Sequence, residues 1–223
     1  MGVEHWTDSP TLEKILVTKT NGVKTGLMEG RRLGKTQKRN LWKKNEFYLG
    51  TWNVLSLYRV GALRILLDQI DKYKTRIIAI QEIRWTGQGV LEKRDHTIFY
   101  SCDERQHMLG VGFVVKKNFK HLVMDFKAIS TRICTLRIKG KFFNYTIINV
   151  HAPIEVSAKE EEDSFYDLLQ KTYEQSPSYD VKNVIGDMNA QVGKGEMYCP
   201  TIGKQSLHEK TNDNGYRLIQ FAT

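Results

Sequence analysis

Short apolar runs that end in polar residues recur four times along the chain. The runs are GTWNV, IIAIQE, IINVHAP and VIGDMN, and they place Asn53, Glu82, His151, Asp187 and Asn189 at or beside their ends. Apolar runs of about four to eight residues are typical of buried strands. We therefore expect these five side chains at strand ends, where a rigid sheet can hold them in one cleft.

Strand and helix patterns alternate around the first two of these runs. Residues 50–55 and 76–83 predict strands on either side of an amphipathic helix at 61–74. The result is a β-α-β unit, which we expect to have the right-handed crossover of such units. Further strands, mostly antiparallel neighbours because their spacing is short, are predicted at 97–101, 111–116, 133–138 and 143–150. A later strand is predicted at 181–185, after Pro177.

Two more helices are predicted in the last third of the chain. Ser157 and Glu160 have the spacing of a capping box, in which each side chain bonds a free amide at the start of a helix. A second helical pattern begins at Gly215 and runs to Thr223. The apolar stripe of the first helix consists of Phe165, Leu168, Leu169 and Tyr173.

The length of 223 residues suits one domain with a single sizeable core. The first 46 residues show no sustained period and combine glycines with a basic cluster between Arg31 and Lys44. Such composition is typical of solvated, flexible chain. We therefore expect a flexible basic tail at 1–46 and a folded domain at 47–223.

A net charge of +9 and a pI near 9.4 favour a polyanionic partner, nucleic acid above all. Ten of the 34 Lys and Arg residues, but only four of the 25 Asp and Glu residues, lie in the first 44 positions, so the domain itself is mildly basic. Three cysteines without a metal-binding spacing favour a reducing compartment. No apolar segment approaches the about 20 residues of a membrane span, so we expect an intracellular protein, nuclear rather than cytoplasmic, without a membrane partner.

Two carboxylates at the ends of different strands, Glu82 and Asp187, can converge on one hard divalent cation. Mg²⁺ suits such a site because it prefers oxygen ligands and is held by one or two carboxylates together with substrate phosphate; Mn²⁺ is the alternative. Asn53 and Asn189 can position a water or a phosphate without adding charge, and His151 can contact phosphate or relay a proton. The set predicts metal-assisted phosphodiester hydrolysis.

Each of these residues, taken alone, also has a purely structural interpretation. A single carboxylate at a strand end usually faces solvent or caps a turn, and Asn53 and Asn189 are typical turn formers. His151 precedes Ala152 and Pro153 and can simply satisfy backbone groups where the strand ends. The chemical interpretation depends on the whole ordered set.

The ordered motifs GTWNV, IQE, GVGFVV, INVHAP and IGDMNAQVG resemble those of the endonuclease/exonuclease/phosphatase superfamily, which includes apurinic endonucleases and DNase I. The resemblance is closer still to the endonuclease domain of RTE-type non-LTR retrotransposons. The segments that carry it are LGTWNVLSL, IQEIRW, NVHAP, GDMNAQVG and NDNGYRLIQFA. Host proteins of the craniofacial development protein 2-like type carry the same domain. The resemblance covers about residues 47–223 and implies an α/β fold, a DNase I-like sandwich of two β-sheets flanked by helices.

The resemblance also implies roles for individual residues. Asn53 matches the Asn beside the phosphate and metal, and Glu82 matches the magnesium-binding Glu. His151 stands where relatives carry a phosphate-contacting His or Tyr, while Asp187 and Asn189 match an Asp-x-Asn pair that orients the attacking water. Asn214 weakly matches a later, substrate-side Asn. The implied activity is DNA nicking with Mg²⁺.

Two motifs of the superfamily have no match within these 223 residues: a later Asp-bearing segment and a terminal Ser-Asp-His. His208 lies in SLHEK, which does not resemble the missing motif. We therefore expect a domain that is incomplete at its C-terminus and impaired in catalysis. The alternatives are a catalytically inactive relic that acts as a basic nucleic-acid-binding or interaction module, and a phosphodiesterase for a phosphoinositide, a sphingolipid or poly(A).

Overall fold

The computed structural model describes residues 3–4, 16–19, 48–73, 75–195, 198–203 and 206–223. In this part of the chain, two β-sheets of seven and four strands carry helices on their outer faces. The predicted two-sheet sandwich flanked by helices is confirmed.

The seven-stranded sheet has the strand order β1-β2-β3-β4-β7-β6-β5. Strands β3 and β4 run parallel, as the predicted β-α-β unit requires, and the other pairs are antiparallel. Its strands are β1 (Val3–Glu4), β2 (Leu16–Lys19), β3 (Tyr48–Asn53), β4 (Thr75–Gln81), β5 (Gln88–Lys93), β6 (His96–Ser101) and β7 (Val111–Lys116).

The four-stranded sheet has the order β11-β10-β9-β8. Its strands are β8 (Val123–Ala128), β9 (Ile133–Ile138), β10 (Tyr145–His151) and β11 (Val181–Asp187). Strands β10 and β11 are parallel, and their register places His151 opposite Asp187. β11 packs across β3 and β4 of the larger sheet, so the ends of these strands meet at one end of the sandwich.

The helices among the described residues are α1 (Ala62–Ile70), α2 (Lys159–Gln175), the short α3 (Cys199–Ile202) and α4 (Asp213–Ala222), with a 3-10 helix at Lys117–Leu122. Helix α1 buries Leu67 and Ile70 against the outer face of the large sheet, and α2 buries Phe165 and Leu169 against the small one. This order gives four layers, helix, sheet, sheet and helix.

The main core lies between the two sheets. Its fully buried side chains come from both, for example Ile77 and Phe113 from the large sheet and Leu136 from the small one. Alternate residues of β4 face the other way and pack under α1. Both faces of β4 are therefore buried, which explains its continuous apolar run.

Several features differ from the sequence predictions. The capping box is wrong, because Ala158 is the N-cap of α2 and no side chain caps that helix. Strand β5 escaped detection because five of its six residues are exposed, and the mixed polar and apolar strand β8 was missed for a similar reason. Helix α4 has a cap that was not predicted: Asn212 accepts a hydrogen bond from the amide of Gly215 at 2.8 Å.

The predicted tail at 1–46 is described only at β1 and β2, which extend the large sheet beyond β3. The basic cluster between Arg31 and Lys44 lies outside the described residues. The domain boundary therefore stays a prediction. The three cysteines are free thiols, and Cys102 and Cys134 are buried.

None of the described helices has the length and apolar character of a transmembrane segment.

The buried imidazole of His96 makes stability depend on pH. It is 1% exposed, lies 3.3 Å from a carboxylate oxygen of Asp71, and has no hydrogen-bond partner at either ring nitrogen. Burial lowers its pKa below the usual value, although Asp71 opposes this and Lys116 adds to it. A lowered folded-state pKa means that the unfolded chain binds the proton more tightly.

We expect the free energy of unfolding to be highest above about pH 6.5, the unfolded pKa of His, and to fall as the pH drops below it. His96→Gln should flatten this slope in urea titrations between neutral and mildly acidic pH. The exposed His121 provides the matched control, His121→Gln, which should keep the wild-type slope. An unchanged slope in His96→Gln would contradict the assignment.

Candidate active site

The amide of Asn53 joins the two predicted carboxylates. Its Nδ2 donates to Glu82 Oε1 at 2.9 Å and to Asp187 Oδ2 at 3.0 Å. Its Oδ1 accepts from the amide of Leu55 at 3.1 Å, which fixes the orientation of the amide group. Residues separated by 134 positions in sequence therefore meet around one nitrogen atom.

Strand ends place these groups together. Asn53 is the last residue of β3, Glu82 directly follows β4, and Asp187 is the last residue of β11. Glu82 has a left-handed backbone with φ of 56° at the end of the strand, and its side chain lies against Asn53. Gly186 has φ of 136°, and a Cβ there would lie 2.0 Å from the carbonyl oxygen of Val150. Glycine is therefore required immediately before Asp187.

His151 lies beside the carboxylates at the end of β10. Its Nε2 is 3.8 Å from Glu82 Oε1, the side chain is almost fully buried, and Nδ1 has no hydrogen-bond partner. Burial lowers the pKa of His151, although the nearby Asp187 and Glu82 carboxylates act in the opposite direction. A lowered pKa favours the neutral imidazole, which donates one hydrogen bond and accepts another.

Asn189 completes the loop after β11. Its amide donates to Asp187 Oδ1 at 3.1 Å and its side-chain Nδ2 to the carbonyl of Ala152 at 2.8 Å, with a left-handed φ of 46°. Asn214 lies behind this loop, fully buried, and its Nδ2 donates to the carbonyls of Pro153 and Asn189 at 2.9 and 3.3 Å. In this position Asn214 supports the backbone that carries Asn189, and its substrate-side role stays a prediction.

Sequence reasoning missed Arg84. Its Nη2 lies 2.6 Å from Glu82 Oε2, so both oxygens of Glu82 have a donor. Burial raises the pKa of Glu82, but hydrogen bonds from Asn53 and Arg84 outweigh this and hold it below the usual value. Glu82 is therefore ionised at neutral pH. The signal in the sequence was a basic residue two positions after the Glu in IQEIRW.

An open cleft of about 430 Å³ extends from Asp187 along the loop after β11. Asp187 and Asn189 line it together with Glu155, Asn212 and His208. His208 thus shares a cleft with Asp187 and Asn189, although its local sequence does not resemble the superfamily motif. His208 reaches the cleft because the segment before α4 folds back toward the loop after β11.

Among the described residues, no group of three or more His, Cys, Asp and Glu side chains is arranged to hold a metal ion. At this site the structure brings the carboxylates of Glu82 and Asp187 to one Asn53 amide. Both present oxygen atoms, the ligand type of Mg²⁺ and Mn²⁺, and a site with two carboxylates and several waters is the usual form for Mg²⁺. The oxygen ligands of these two carboxylates therefore fit Mg²⁺ or Mn²⁺, with water as the remaining ligands.

No family model matches the chain. In sequence, it is 36% identical over 178 residues to craniofacial development protein 2 of Tragulus javanicus, and 35% identical over the same length to that of Bos taurus. These alignments cover 80% of this chain but only 30% of each relative.

Two solved structures show the same architecture. The endonuclease domain of TRAS1, a telomere-specific non-LTR retrotransposon, matches with a TM-score of 0.51 and 15% identity, covering 78% of this chain and 70% of that one. The AP endonuclease LMAP from Leishmania major matches with a TM-score of 0.53 and 12% identity, covering 85% and 69%. The chain thus has the DNase I-like fold of the endonuclease/exonuclease/phosphatase proteins, and its sequence is related to that of craniofacial development protein 2.

Proposed function

We propose that the chain is a divalent-metal-dependent phosphodiesterase that nicks DNA. The observation that carries this proposal is the meeting of Glu82 and Asp187 at the Asn53 amide, beside the buried His151 and next to an open cleft that Asp187 lines. The fold is one that two endonucleases share. The basic composition favours a polyanionic substrate.

The residues divide into distinct roles in this proposal. Glu82 and Asp187 would hold the metal, which when bound polarises a phosphoryl oxygen and neutralises charge on the leaving oxygen. Asn53 positions both carboxylates through its two hydrogen bonds. His151 would donate a hydrogen bond to a phosphate oxygen, and Asn189 would help to orient the attacking water.

The direct test is the conversion of supercoiled plasmid to open circles by the purified 223-residue chain. We expect nicking with Mg²⁺ or Mn²⁺ and none in EDTA. A folded preparation that nicks with neither ion would overturn the proposal. Salt-dependent DNA binding without cleavage in that preparation would favour the inactive binding module instead.

A second prediction concerns charge at the site in the absence of metal. Asn53→Asp replaces the bridging donor with a third carboxylate beside Glu82 and Asp187, and like charges without a donor between them repel. We expect the free energy of unfolding in EDTA to fall by about 2 kcal/mol, more than in Asn53→Ala. Mg²⁺ should recover part of this loss, because an ion that binds only the folded state stabilises it.

Thermal melts of the wild type and both variants, with and without Mg²⁺, check this expectation. Asn183→Asp, at a half-buried position in the middle of β11, is the control. This control keeps Glu82 and Asp187, so Mg²⁺ should raise its melting temperature as in the wild type and by less than in Asn53→Asp. Equal rises in Asn53→Asp and Asn183→Asp would mean that a carboxylate at position 53 does not contribute to ion binding.

A further inference from the structure

Two loops beside the site present an exposed aromatic pair. Tyr58, in the loop after β3, and His107, in the loop after β6, have ring centroids 4.2 Å apart at an interplanar angle of 46°. Tyr58 is 62% exposed although it touches another ring. Leu55 and Met108, on the same two loops, are also more than half exposed.

This pair is connected directly to the candidate active site. His107 Nδ1 donates to the carbonyl oxygen of Arg84 at 3.0 Å, and the Arg84 side chain bonds Glu82. Tyr58 lies five positions after Asn53 in the same loop. The aromatic pair and the two carboxylates therefore belong to one continuous surface.

Both loops are held in place by backbone and indole hydrogen bonds. The amide of Leu57 donates to the carbonyl of Ile83 at 2.9 Å, and Trp85 Nε1 donates to the carbonyl of Leu57 at 3.0 Å. On the other side, the amide of Arg84 donates to the carbonyl of Leu109 at 2.8 Å. Rings that are fixed before binding lose little entropy when a ligand stacks on them.

We propose that Tyr58 and His107 form a platform on which an unpaired base of the DNA substrate stacks. This inference rests on the proposed function, because it places the base next to the phosphate that Glu82 and Asp187 would act on. Exposed aromatic rings bind unpaired bases through their faces, whereas a paired base inside a duplex does not offer its face. Arg59 and Arg105 lie on these loops, and Arg84 lies on the adjoining loop after β4, which suits a nucleic acid better than an apolar peptide. The acidic Asp103 and Glu104 lie beside Arg105 on the loop after β6 and offset its charge. We therefore expect stacking, rather than net charge, to supply most of the binding at this pair of rings.

Binding in EDTA tests the platform without any cleavage. The probe is a fluorescein-labelled single strand of about 12 nucleotides, followed by fluorescence anisotropy with the full chain. Loss of one stacked base costs about 1 to 3 kcal/mol, so Tyr58→Ala should weaken binding by about 5- to 150-fold. Tyr58→Phe keeps the ring and should stay within about twofold of the wild type.

Tyr179 provides the matched control. It is 86% exposed and precedes β11, so it lies about 20 Å from Asp187 at the opposite end of that strand. Tyr179→Ala should bind like the wild type. Wild-type affinity in Tyr58→Ala, or an equal loss in Tyr58→Ala and Tyr179→Ala, would overturn the platform.

A second readout reports stacking itself. A strand with one 2-aminopurine base should lose fluorescence when it binds the wild type and Tyr58→Phe, and should lose much less with Tyr58→Ala. Quenching that does not depend on Tyr58 would exclude the platform. If these binding results hold while the wild type fails to nick plasmid, the platform stands as a DNA-binding surface and the phosphodiesterase proposal alone falls.

Discussion

Asp187→Asn is expected to slow Mg²⁺-dependent plasmid nicking by about 10³-fold, the loss typical when an essential acid-base or charge-stabilising group is removed. The substitution keeps the shape of the side chain and its acceptor for the Asn189 amide. It removes the negative charge that would hold the metal opposite Glu82. It also turns an acceptor of the Asn53 amide into a donor.

The prediction is measured as the initial rate of open-circle formation, with circular dichroism to show that the variant is folded. Asp167→Asn, on the exposed face of α2, changes the same charge away from the cleft and should nick at the wild-type rate. Equal rates in Asp187→Asn and wild type would mean that the activity arises elsewhere or from a contaminant. Glu82→Gln should show a loss of the same order, because both carboxylates belong to one site.

Asn149→Ala is expected to cause the largest loss of stability, about 3 kcal/mol or more, because it leaves several buried polar groups without partners. Asn149 lies on β10, fully buried between the sheets. Its Nδ2 donates to the carbonyls of Ile80 and Gly112 at 3.0 and 2.8 Å, and its Oδ1 accepts from Gln81 Nε2 at 2.6 Å. One side chain of the small sheet thus bonds two strands of the large one.

Urea denaturation followed by tryptophan fluorescence measures this loss. Asn118→Ala, at an exposed position of the 3-10 helix, removes the same group from the surface and should change the free energy of unfolding by less than about 0.5 kcal/mol. If both variants unfolded at the same urea concentration, the buried network would contribute little. Because Gln81 directly precedes Glu82, we also expect a lower nicking rate in Asn149→Ala at temperatures where it remains folded.

Local patterns predicted most of the secondary structure. The strands at β3, β4, β6, β7, β9, β10 and β11 and the three longer helices lie where apolar periodicity placed them, within a few residues. An element that is buried on one or both faces has apolar residues at the spacing of a strand or a helix, so it can be recognised in the sequence without knowledge of the fold. The predictions failed where burial is weak, as in the exposed β5, and where a cap depended on backbone geometry, as at Ala158.

The residues of the candidate site and their convergence on one cleft were predicted from the sequence, but the contacts among them were not. The motifs identified Asn53, Glu82, His151, Asp187 and Asn189, and the structure brings all five to one end of the sandwich. Arg84 and His208 entered only through tertiary structure. Neither belongs to an apolar run, so no periodic signal marked them.

The sequence by itself determined which segments become strands and which polar residues stand at their ends, because side-chain alternation and burial act over a few neighbouring residues. The tertiary structure decided that these ends meet. Packing of β11 across β3 and β4, fixed by the core between the sheets and by Asn149, brings Asp187 to Asn53 over a separation of 134 residues. Such long-range contacts depend on how two sheets fit together in space, and no local pattern encodes that fit.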